Sequence, residues 1–430
     1  MRASRPDSFD PATPVIVLAG QENSLAVVRN LGRLGVDITV SGPTICWALY
    51  SRYCKRALTI PDGVDLIEHW HELLLGTDSD AYHGSLLIAG NDDAIEFFAK
   101  YENALRERYI LEEFDAELHL VLLNKQKTVE LAEAAGVPAP QQFRVKTLED
   151  VDALRTSIEL PAMIKALNTH EFNRIIGSKV LVAEDSFDEL RDHAKRAFDA
   201  NLDVMVVEMI PGEDDQLCSY FTYITENGER LYDFTKSVVR RYPLGYGAGA
   251  CHVTKWQPDV AEMGRRFFEH IGFRGTGNIE FKRDGSTLKI IEVNARYVAS
   301  HELIVRSGAP LDVIAYCHLT GQPAPLFSSY EEGRYLWSPI ADVLAMLALR
   351  RTGKLTVIAW AQDIATHRIT FPVFQVSDPY PSVHHGLSLL GKCRDSLLRF
   401  AGRLGKRFSL KKSDAELQIP SRVRSYRRVK

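Results

Sequence analysis

The stretch of sequence that decides the fold is Gly275 to Glu302, which reads GTGNIEFKRDGSTLKIIEVNARYVASHE. Apolar and polar residues alternate from Ile279 to Lys282, and Arg283-Asp284-Gly285 then has the composition of a turn. A second extended segment follows from Leu288 to Val293. Two extended segments joined by a short turn that contains glycine predict a β-hairpin.

Oxygen-bearing side chains fall on this hairpin at Glu280, Glu292 and Asn294. Such hard ligands, with room left for phosphate oxygens, are typical of Mg2+ sites in nucleotide-dependent enzymes. Arg296 follows two residues later, and its planar guanidinium could hold the anion that the metal binds. The pattern therefore predicts an ATP site. The alternative is an ordinary hairpin with acids on its solvent face, but isolated polar groups among β-branched residues need partners.

Two lysines stand at the edges of predicted elements upstream of the hairpin. Lys125 begins a predicted helix, and Lys165 ends an apolar strand that pairs with a second strand at Lys179 to Ala183. An ammonium at either edge could reach nucleotide phosphates as a compact charge, whereas the alternative is a solvated side chain. The polar loop Asn168 to Ser178 between the strands could fold over a ligand.

The segment Val206 to Gly212, VVEMIPG, suits an adenine. A strand end offers backbone donor and acceptor groups to the purine edge, and apolar side chains can hold the purine faces. Asp215 could then take the ribose hydroxyls. The alternative is a strand followed by an acidic surface turn at Glu213 to Asp215.

The order of these residues along the chain resembles the ATP-grasp superfamily over about residues 14–325. The order is Lys125, Lys165, the Glu208-Met-Ile-Pro-Gly segment, Glu280 and the EVNAR motif. IKALNTHEFNRIIGSKV and IPGEDD are most similar to D-aspartate ligase and to bacterial carboxylate-amine ligases linked with cell-wall or exopolysaccharide synthesis. EVNARYVASHE is also similar to the large subunit of carbamoyl-phosphate synthetase. Two departures are Asn168 to Asn173 in place of a glycine-rich flap, and Ala166 where many relatives have proline.

The resemblance implies a role for each matching residue. These roles are ATP phosphate binding by Lys125 and Lys165, adenine binding by Glu208 and Ile210, ribose binding by Asp215, Mg2+ (or Mn2+) binding by Glu280, Glu292 and Asn294, and stabilisation of the transferred phosphoryl group by Arg296.

The fold class that we predict is α/β and α+β. Val15 to Ala19, the helix Leu25 to Leu34 and the strand Val36 to Val40 make a βαβ opening, although GxGxxG is absent and NAD binding is not predicted. The predicted parts are a flexible N-terminus (1–13), a Rossmann-like parallel-sheet domain (14–122), an ATP-grasp domain (123–325) with a lid subdomain (123–203) and a metal and nucleotide subdomain (204–325), a C-terminal extension (326–390) and a basic tail (391–430).

The chemistry implied is ADP-forming carboxylate-amine ligation, in which a carboxylate becomes an acyl phosphate that an amine captures. Lys236, Arg240 and Arg241 lie close to glycines and could orient the carboxylate or phosphoryl group; a surface basic cluster is the alternative. Two other functions stay open. One is phosphoryl transfer to another acceptor, or bicarbonate activation as in carbamoyl-phosphate synthetase, and the other is a nucleotide-binding assembly protein without turnover.

The amino-acid composition limits the binding partners and the cellular compartment that we expect for this chain. The chain has 430 residues, 45% of them hydrophobic, and a net charge of −4, which gives no reason to expect nucleic-acid binding. Six scattered cysteines suggest a reducing cytoplasm, and neither a secretory signal nor an apolar run of membrane-spanning length is evident. The partners expected are therefore a small-molecule carboxylate and an amine, and the sequence allows a homodimer.

The last forty residues differ from the rest in charge. Residues 391–430 hold 13 Lys and Arg against 3 Asp and Glu, a net charge of +10, so the first 390 residues carry −14. Apolar residues such as Leu397, Phe400 and Leu404 recur there at helical spacing. This pattern is typical of a helix on an anionic membrane, here the inner face, and the alternative is a partly disordered basic tail.

Overall fold

The computed structural model describes residues 9–166, 172, 175–178 and 180–388. Their strands form three sheets, of four, four and seven strands in the order described below, which confirms the predicted α/β and α+β fold class. Residues 168–171, 173 and 174 of the predicted loop over the ligand, and the basic tail 391–430, lie outside the described residues. Among the described helices, none combines the length and the apolar character needed to cross a membrane.

The first sheet is parallel, with the strand order β3-β2-β1-β4. Its strands are β1 (Val15–Leu18), β2 (Ile38–Pro43), β3 (Arg56–Ile60) and β4 (Leu86–Ala89). Its helices are α1 (Glu22–Arg33), α2 (Leu66–Leu75) and α3 (Asp92–Arg106). Every residue of β1 and β4 is buried, as expected of parallel strands covered by helices on both faces. The chain runs from β1 to β2 on one side and later returns to β4 on the other side of β1, so the order of the strands reverses between β1 and β4.

Two helices connect this sheet to the next part of the chain. They are α4 (Ala116–Leu123) and α5 (Lys125–Ala134), and each begins at a side-chain cap, Asp115 for α4 and Asn124 for α5. Because Asn124 accepts from the backbone N–H groups of Gln126 and Lys127, the start of α5 is fixed at Lys125.

The second sheet is antiparallel, with the strand order β5-β8-β6-β7. Its strands are β5 (Gln142–Val145), β6 (Ala162–Ala166), β7 (Val180–Ala183) and β8 (Val204–Glu208). It packs on the helices α6 (Leu148–Asp152) and α7 (Phe187–Asp199), with Leu190 and Ala194 of α7 in the shared core. The predicted strand pair around Lys165 is therefore present as β6 and β7.

The third sheet has seven strands in the order β13-β12-β9-β10-β11-β14-β15. They are β9 (Leu217–Ile224), β10 (Arg230–Tyr242), β11 (Ala248–Thr254), β12 (Gly275–Asp284), β13 (Thr287–Asn294), β14 (Arg334–Trp337) and β15 (Arg368–Thr370). The predicted hairpin is β12 and β13. The helix α8 (Pro258–His270) lies against β9, where a Cβ on Gly264 would stand 2.2 Å from Tyr220 Cδ1, so only glycine permits this approach.

The first sheet packs directly on the third. Val15 and Leu25 share one core with Phe221, Tyr232 and Tyr316, the last on a helix after the hairpin. The helices that complete this part are α9 (His301–Arg306) and α10 (Leu311–Leu319). The loops after β1 and β4 are thereby held beside the end of the β12–β13 hairpin.

The region predicted as a C-terminal extension contributes β14 and β15 to the third sheet, together with α11 (Pro339–Arg351) and α12 (Val357–Thr366). Arg240 of β10 anchors both helices, because its buried guanidinium binds Asp342 of α11 and Asp363 of α12. Farther along, the fully buried Asp378 carboxylate accepts from Arg29 Nε of α1 at 2.8 Å, so residues beyond β15 return to the first sheet.

Candidate active site

The strand register of the third sheet places four polar side chains in one row. Glu292 of β13 is paired with Glu280 of β12, Glu280 with Ser219 of β9, and Ser219 with Lys236 of β10. Directly opposed residues of antiparallel strands point to the same face of a sheet. With neighbouring strands roughly 4.8 Å apart, the row runs from two acids through a hydroxyl to an ammonium over about 15 Å.

Among the residues that the structure describes, the two acids of this row have no cation at ion-pair distance. Neither Glu280 nor Glu292 forms an ion pair or a hydrogen bond through its carboxylate with any residue that the structure describes. Burial raises the pKa of Glu280, Glu292 raises it further, and the positive charges of Lys236, Arg241 and Arg296 lower it. Two close, partly buried carboxylates of this kind have the donor chemistry for a divalent cation.

Asn294 ends β13 beside this pair. Its Nδ2 atom donates to Asn278 Oδ1 at 3.2 Å, and Asn278 Nδ2 in turn donates to the backbone carbonyl of Tyr220 at 3.0 Å. This chain of hydrogen bonds fixes the amide, and Asn294 Oδ1 keeps no hydrogen-bond partner within the described ranges. The residues present therefore fit Mg2+, with Glu280, Glu292 and Asn294 as the side chains that would hold it.

Lys125 and Lys165 come together opposite the acids. Burial lowers the pKa of Lys165 to about 8, the neighbouring ammonium of Lys125 lowers it as well, and the carboxylates of Glu292 and Glu280 oppose the change. The end of β6, the start of α5 and the β12–β13 hairpin thus meet at one place. The repulsion between two neighbouring ammonium groups would be relieved by a polyanion such as a nucleotide phosphate chain.

The predicted adenine segment lies where β8 ends. The Glu208 carboxylate is held by Lys289 Nζ at 2.7 Å and by the backbone N–H of Gln141 at 2.9 Å. Lys282 Nζ, which is buried, donates to the carbonyls of Ile210 at 2.8 Å and Gly212 at 2.7 Å. The Ile210 N–H has no acceptor in the described part of the chain, so this segment offers a backbone donor, as adenine binding requires.

The structure separates two neighbouring acids in the turn that follows. Asp215 is exposed, and its Oδ1 atom accepts from the Gln216 side chain at 2.9 Å. Asp214 accepts instead from Arg241 Nε at 2.7 Å and from the Gly245 N–H at 3.2 Å. The ribose role of Asp215 stays a prediction, and Asp214 is a partner of Arg241 that the sequence pattern did not single out.

The remaining predicted cations have different partners. Arg296 Nε donates to Asp92 Oδ1 at 2.7 Å, which joins the hairpin to the start of α3. Lys236 Nζ lies 3.2 Å from His252 Nδ1. Arg240 was expected to act with Lys236 and Arg241, and this is wrong, since its guanidinium is buried against Asp342 and Asp363.

No protein-family model matches the chain. It is similar to the D-alanine–D-alanine ligase of Chromohalobacter salexigens, with 26% identity over 199 residues, or 44% of this chain. The matched part is 60% of the length of that ligase, less than two thirds of it.

Solved structures are similar to the chain over most of its length. One is the biotin carboxylase domain of the Hydrogenobacter thermophilus 2-oxoglutarate carboxylase, in complex with MgADP, ADP and bicarbonate, with a TM-score of 0.57 and 15% identity over 75% of this chain and 73% of that one. Another is the L-amino acid ligase of Bacillus licheniformis, with a TM-score of 0.54 and 15% identity over 76% of this chain and 79% of that one. These likenesses agree with the order of the sheets and with the meeting of the two lysines and the acidic hairpin. Together they show that the chain has the fold of the ATP-grasp superfamily.

Proposed function

We propose that the protein is a Mg-ATP-dependent ligase that activates a small-molecule carboxylate as an acyl phosphate and joins it to an amine. The observation that carries this proposal is the meeting of the Glu280 and Glu292 carboxylates, which form no ion pair within the described ranges, with the ammonium groups of Lys125 and Lys165. Carboxylates that face ammonium groups without a direct ion pair leave room for a metal and a polyphosphate between them.

The nucleotide would be bound in three places along the second and third sheets. The purine edge would meet the Ile210 N–H, and Lys282 supports this binding because it holds the Ile210 and Gly212 carbonyls. The phosphates would lie against Lys125 and Lys165. Mg2+, held by Glu280, Glu292 and Asn294, would neutralise charge on the terminal phosphates.

The reaction has two steps, and this chain's cations serve the first. An oxygen of the substrate carboxylate attacks the γ-phosphorus, the bond to the bridging oxygen breaks, and ADP leaves with that electron pair. Arg296, Lys236 and Arg241 would stabilise the charge on the transferred phosphoryl group. The amine nitrogen then attacks the acyl carbon, phosphate leaves, and the nitrogen loses a proton, which yields an amide.

A second candidate is bicarbonate activation, which is favoured by the likeness of the fold to a carboxylase domain bound to bicarbonate. It uses the same nucleotide and metal residues, because bicarbonate is itself a carboxylate-like acceptor of the phosphoryl group. The two functions differ in the acid that is phosphorylated.

The test is a screen for ADP release over amino acids, other carboxylates and bicarbonate, with Mg2+ and with hydroxylamine as a trap. A hydroxamate formed from an organic acid supports the ligase and identifies the acid, whereas ADP release with bicarbonate alone supports the second candidate. Glu292→Gln and Lys165→Ala should abolish both signals. The matched control is Glu107→Gln, at an exposed acid that follows α3, and this variant should behave as wild type. ADP release that survives Glu292→Gln would contradict the proposed site.

A further inference from the structure

Lys236 has an unusual environment for a lysine. Its side chain is 3% exposed, and its Nζ atom lies 5.9 Å from the centre of the Phe221 ring. In the described residues no carboxylate lies within ion-pair distance of it, and its one hydrogen-bond partner is His252 Nδ1 at 3.2 Å. A buried ammonium is costly without a partner, so this single contact decides where the charge is held.

His252 is suited to accept that hydrogen bond. Burial lowers the pKa of the imidazole well below its usual range, and the charge of Lys236 acts in the same direction. The ring is therefore neutral at physiological pH, and Nδ1 can accept while Nε2 carries the proton. A carboxylate in this position would compensate the charge of Lys236, whereas a neutral imidazole orients the ammonium and leaves its charge available to an anion.

The strand backbone fixes the ring. Lys236 is paired with Thr254 of β11, and His252 is two residues from Thr254, so both side chains lie on the same face. The imidazole is pressed against Gly249, where a Cβ would stand 2.2 Å from Cε1 and 2.4 Å from Nε2. Glycine at this position is therefore part of the arrangement, because any side chain would displace the ring.

We propose that His252 is a positioning residue that acts through Nδ1 to hold the Lys236 ammonium at the end of the row that begins with Glu292 and Glu280. This inference rests on the proposed function, in which Lys236 acts on the transferred phosphoryl group. The charge of Lys236 is then directed at the phosphoryl group, and the imidazole itself touches no substrate.

The chemistry of the Nδ1 contact gives a direct test. The amide of His252→Asn can place its oxygen near the position of Nδ1, whereas the longer side chain of His252→Gln reaches toward that of Nε2. We expect His252→Gln and Gly249→Ala to lower kcat for hydroxamate formation about 10- to 100-fold, the loss typical of groups that orient a functional side chain. His252→Asn should recover most of the activity.

A double variant shows whether His252 acts through Lys236. Lys236→Met should lower kcat, and adding His252→Gln to it should cause no further loss, because the group that His252 positions is already absent. Additive losses, or equal losses in His252→Asn and His252→Gln, would show a packing role and overturn the proposal. Urea unfolding of each variant confirms that it is folded.

Binding gives a readout that does not need turnover. The ratio of affinities for Mg-AMP-PNP and Mg-ADP, measured by calorimetry, reports the contact with the terminal phosphate. His252→Gln should lower this ratio about tenfold, the scale of an orienting contact, and His252→Asn should keep it. An unchanged ratio in His252→Gln overturns the inference about His252. If the wild type binds both nucleotides but none of the acids tested causes ADP release, the proposed function alone is overturned.

Discussion

Glu280 and Glu292 are directly paired across β12 and β13, and no described cation forms an ion pair with either. Cross-strand acid pairs are unfavourable, because like charges directly opposite each other repel. A hairpin that keeps such a pair partly buried is therefore expected to be completed by a cation.

Glu280→Gln should separate metal binding from stability. In the absence of Mg2+ the variant should melt at the same temperature as wild type or higher, because the substitution removes repulsion and the burial of a charge. The fold raises the pKa of Glu280, so the cost of its charge is present at neutral pH and is relieved as the pH falls. Mg-ADP should raise the melting temperature of wild type much more than that of Glu280→Gln. Equal shifts in thermal unfolding would contradict a metal at this pair.

Nucleotide affinity should depend on pH through Lys165. The pKa of Lys165 is lowered to about 8, so above that pH the free protein holds a neutral amine where the phosphates bind. The Kd for Mg-ATP should therefore rise above pH 8, by at most about tenfold per pH unit. Lys165→Arg keeps its charge at these pH values and should show no such rise. Calorimetry between pH 7 and about pH 9 measures both, and the same slope in the two proteins would exclude Lys165 as its source.

The Asp92 contact of Arg296 should affect turnover more than stability. Asp92→Asn removes the carboxylate that fixes Arg296 Nε, so kcat should fall about tenfold, as for other orienting contacts. Asp92 is exposed, and the free energy of unfolding should change by less than about 1 kcal/mol. Glu96→Gln, one turn farther along the exposed face of α3, is the matched control and should leave kcat unchanged. A wild-type kcat in Asp92→Asn would show that Arg296 is held adequately without this contact.

Asp342→Ala should be strongly destabilising. Its buried carboxylate accepts from Arg240 and from the indole N–H groups of Trp337 and Trp360. Removing it leaves a buried guanidinium and two indole donors short of an acceptor, which costs about 3–5 kcal/mol. The exposed pair of Asp259 with Arg283 provides the control, since Asp259→Ala should cost no more than about 1 kcal/mol. Urea unfolding measures both, and similar losses would contradict the importance of burial.

The sequence was sufficient to predict the hairpin and the two lysines because their signals are local. Alternation over a few residues predicts strands, and the carboxylates follow from their positions on them. Lys125 and Lys165 were identified in the same way, from the edges of single elements. The structure then brings these elements together, as the common influence of Lys125, Glu280 and Glu292 on the pKa of Lys165 indicates.

The contacts that were missed depend on long-range packing or on strand irregularity. Arg296 and Asp92 are 204 residues apart, and no pattern in either segment names the other. Arg240 was wrongly grouped with Arg241 because β10 changes register against β11 on both sides of Arg240, which simple alternation does not anticipate. Asp214 and Asp215 are adjacent in a short 3-10 turn, where only the turn geometry decides which one meets Arg241.

The strands β14 and β15 bear on how this protein can be shortened. Truncation at residue 325, the predicted end of the nucleotide-binding part, would remove β14, one of the two neighbours of β11. It would leave an unpaired edge of backbone N–H and C=O groups on β11, which is a template for aggregation. It would also remove Asp378, so the buried guanidinium of Arg29 on α1 would lose its counter-ion. The smallest autonomous catalytic unit is therefore expected to extend at least through Asp378.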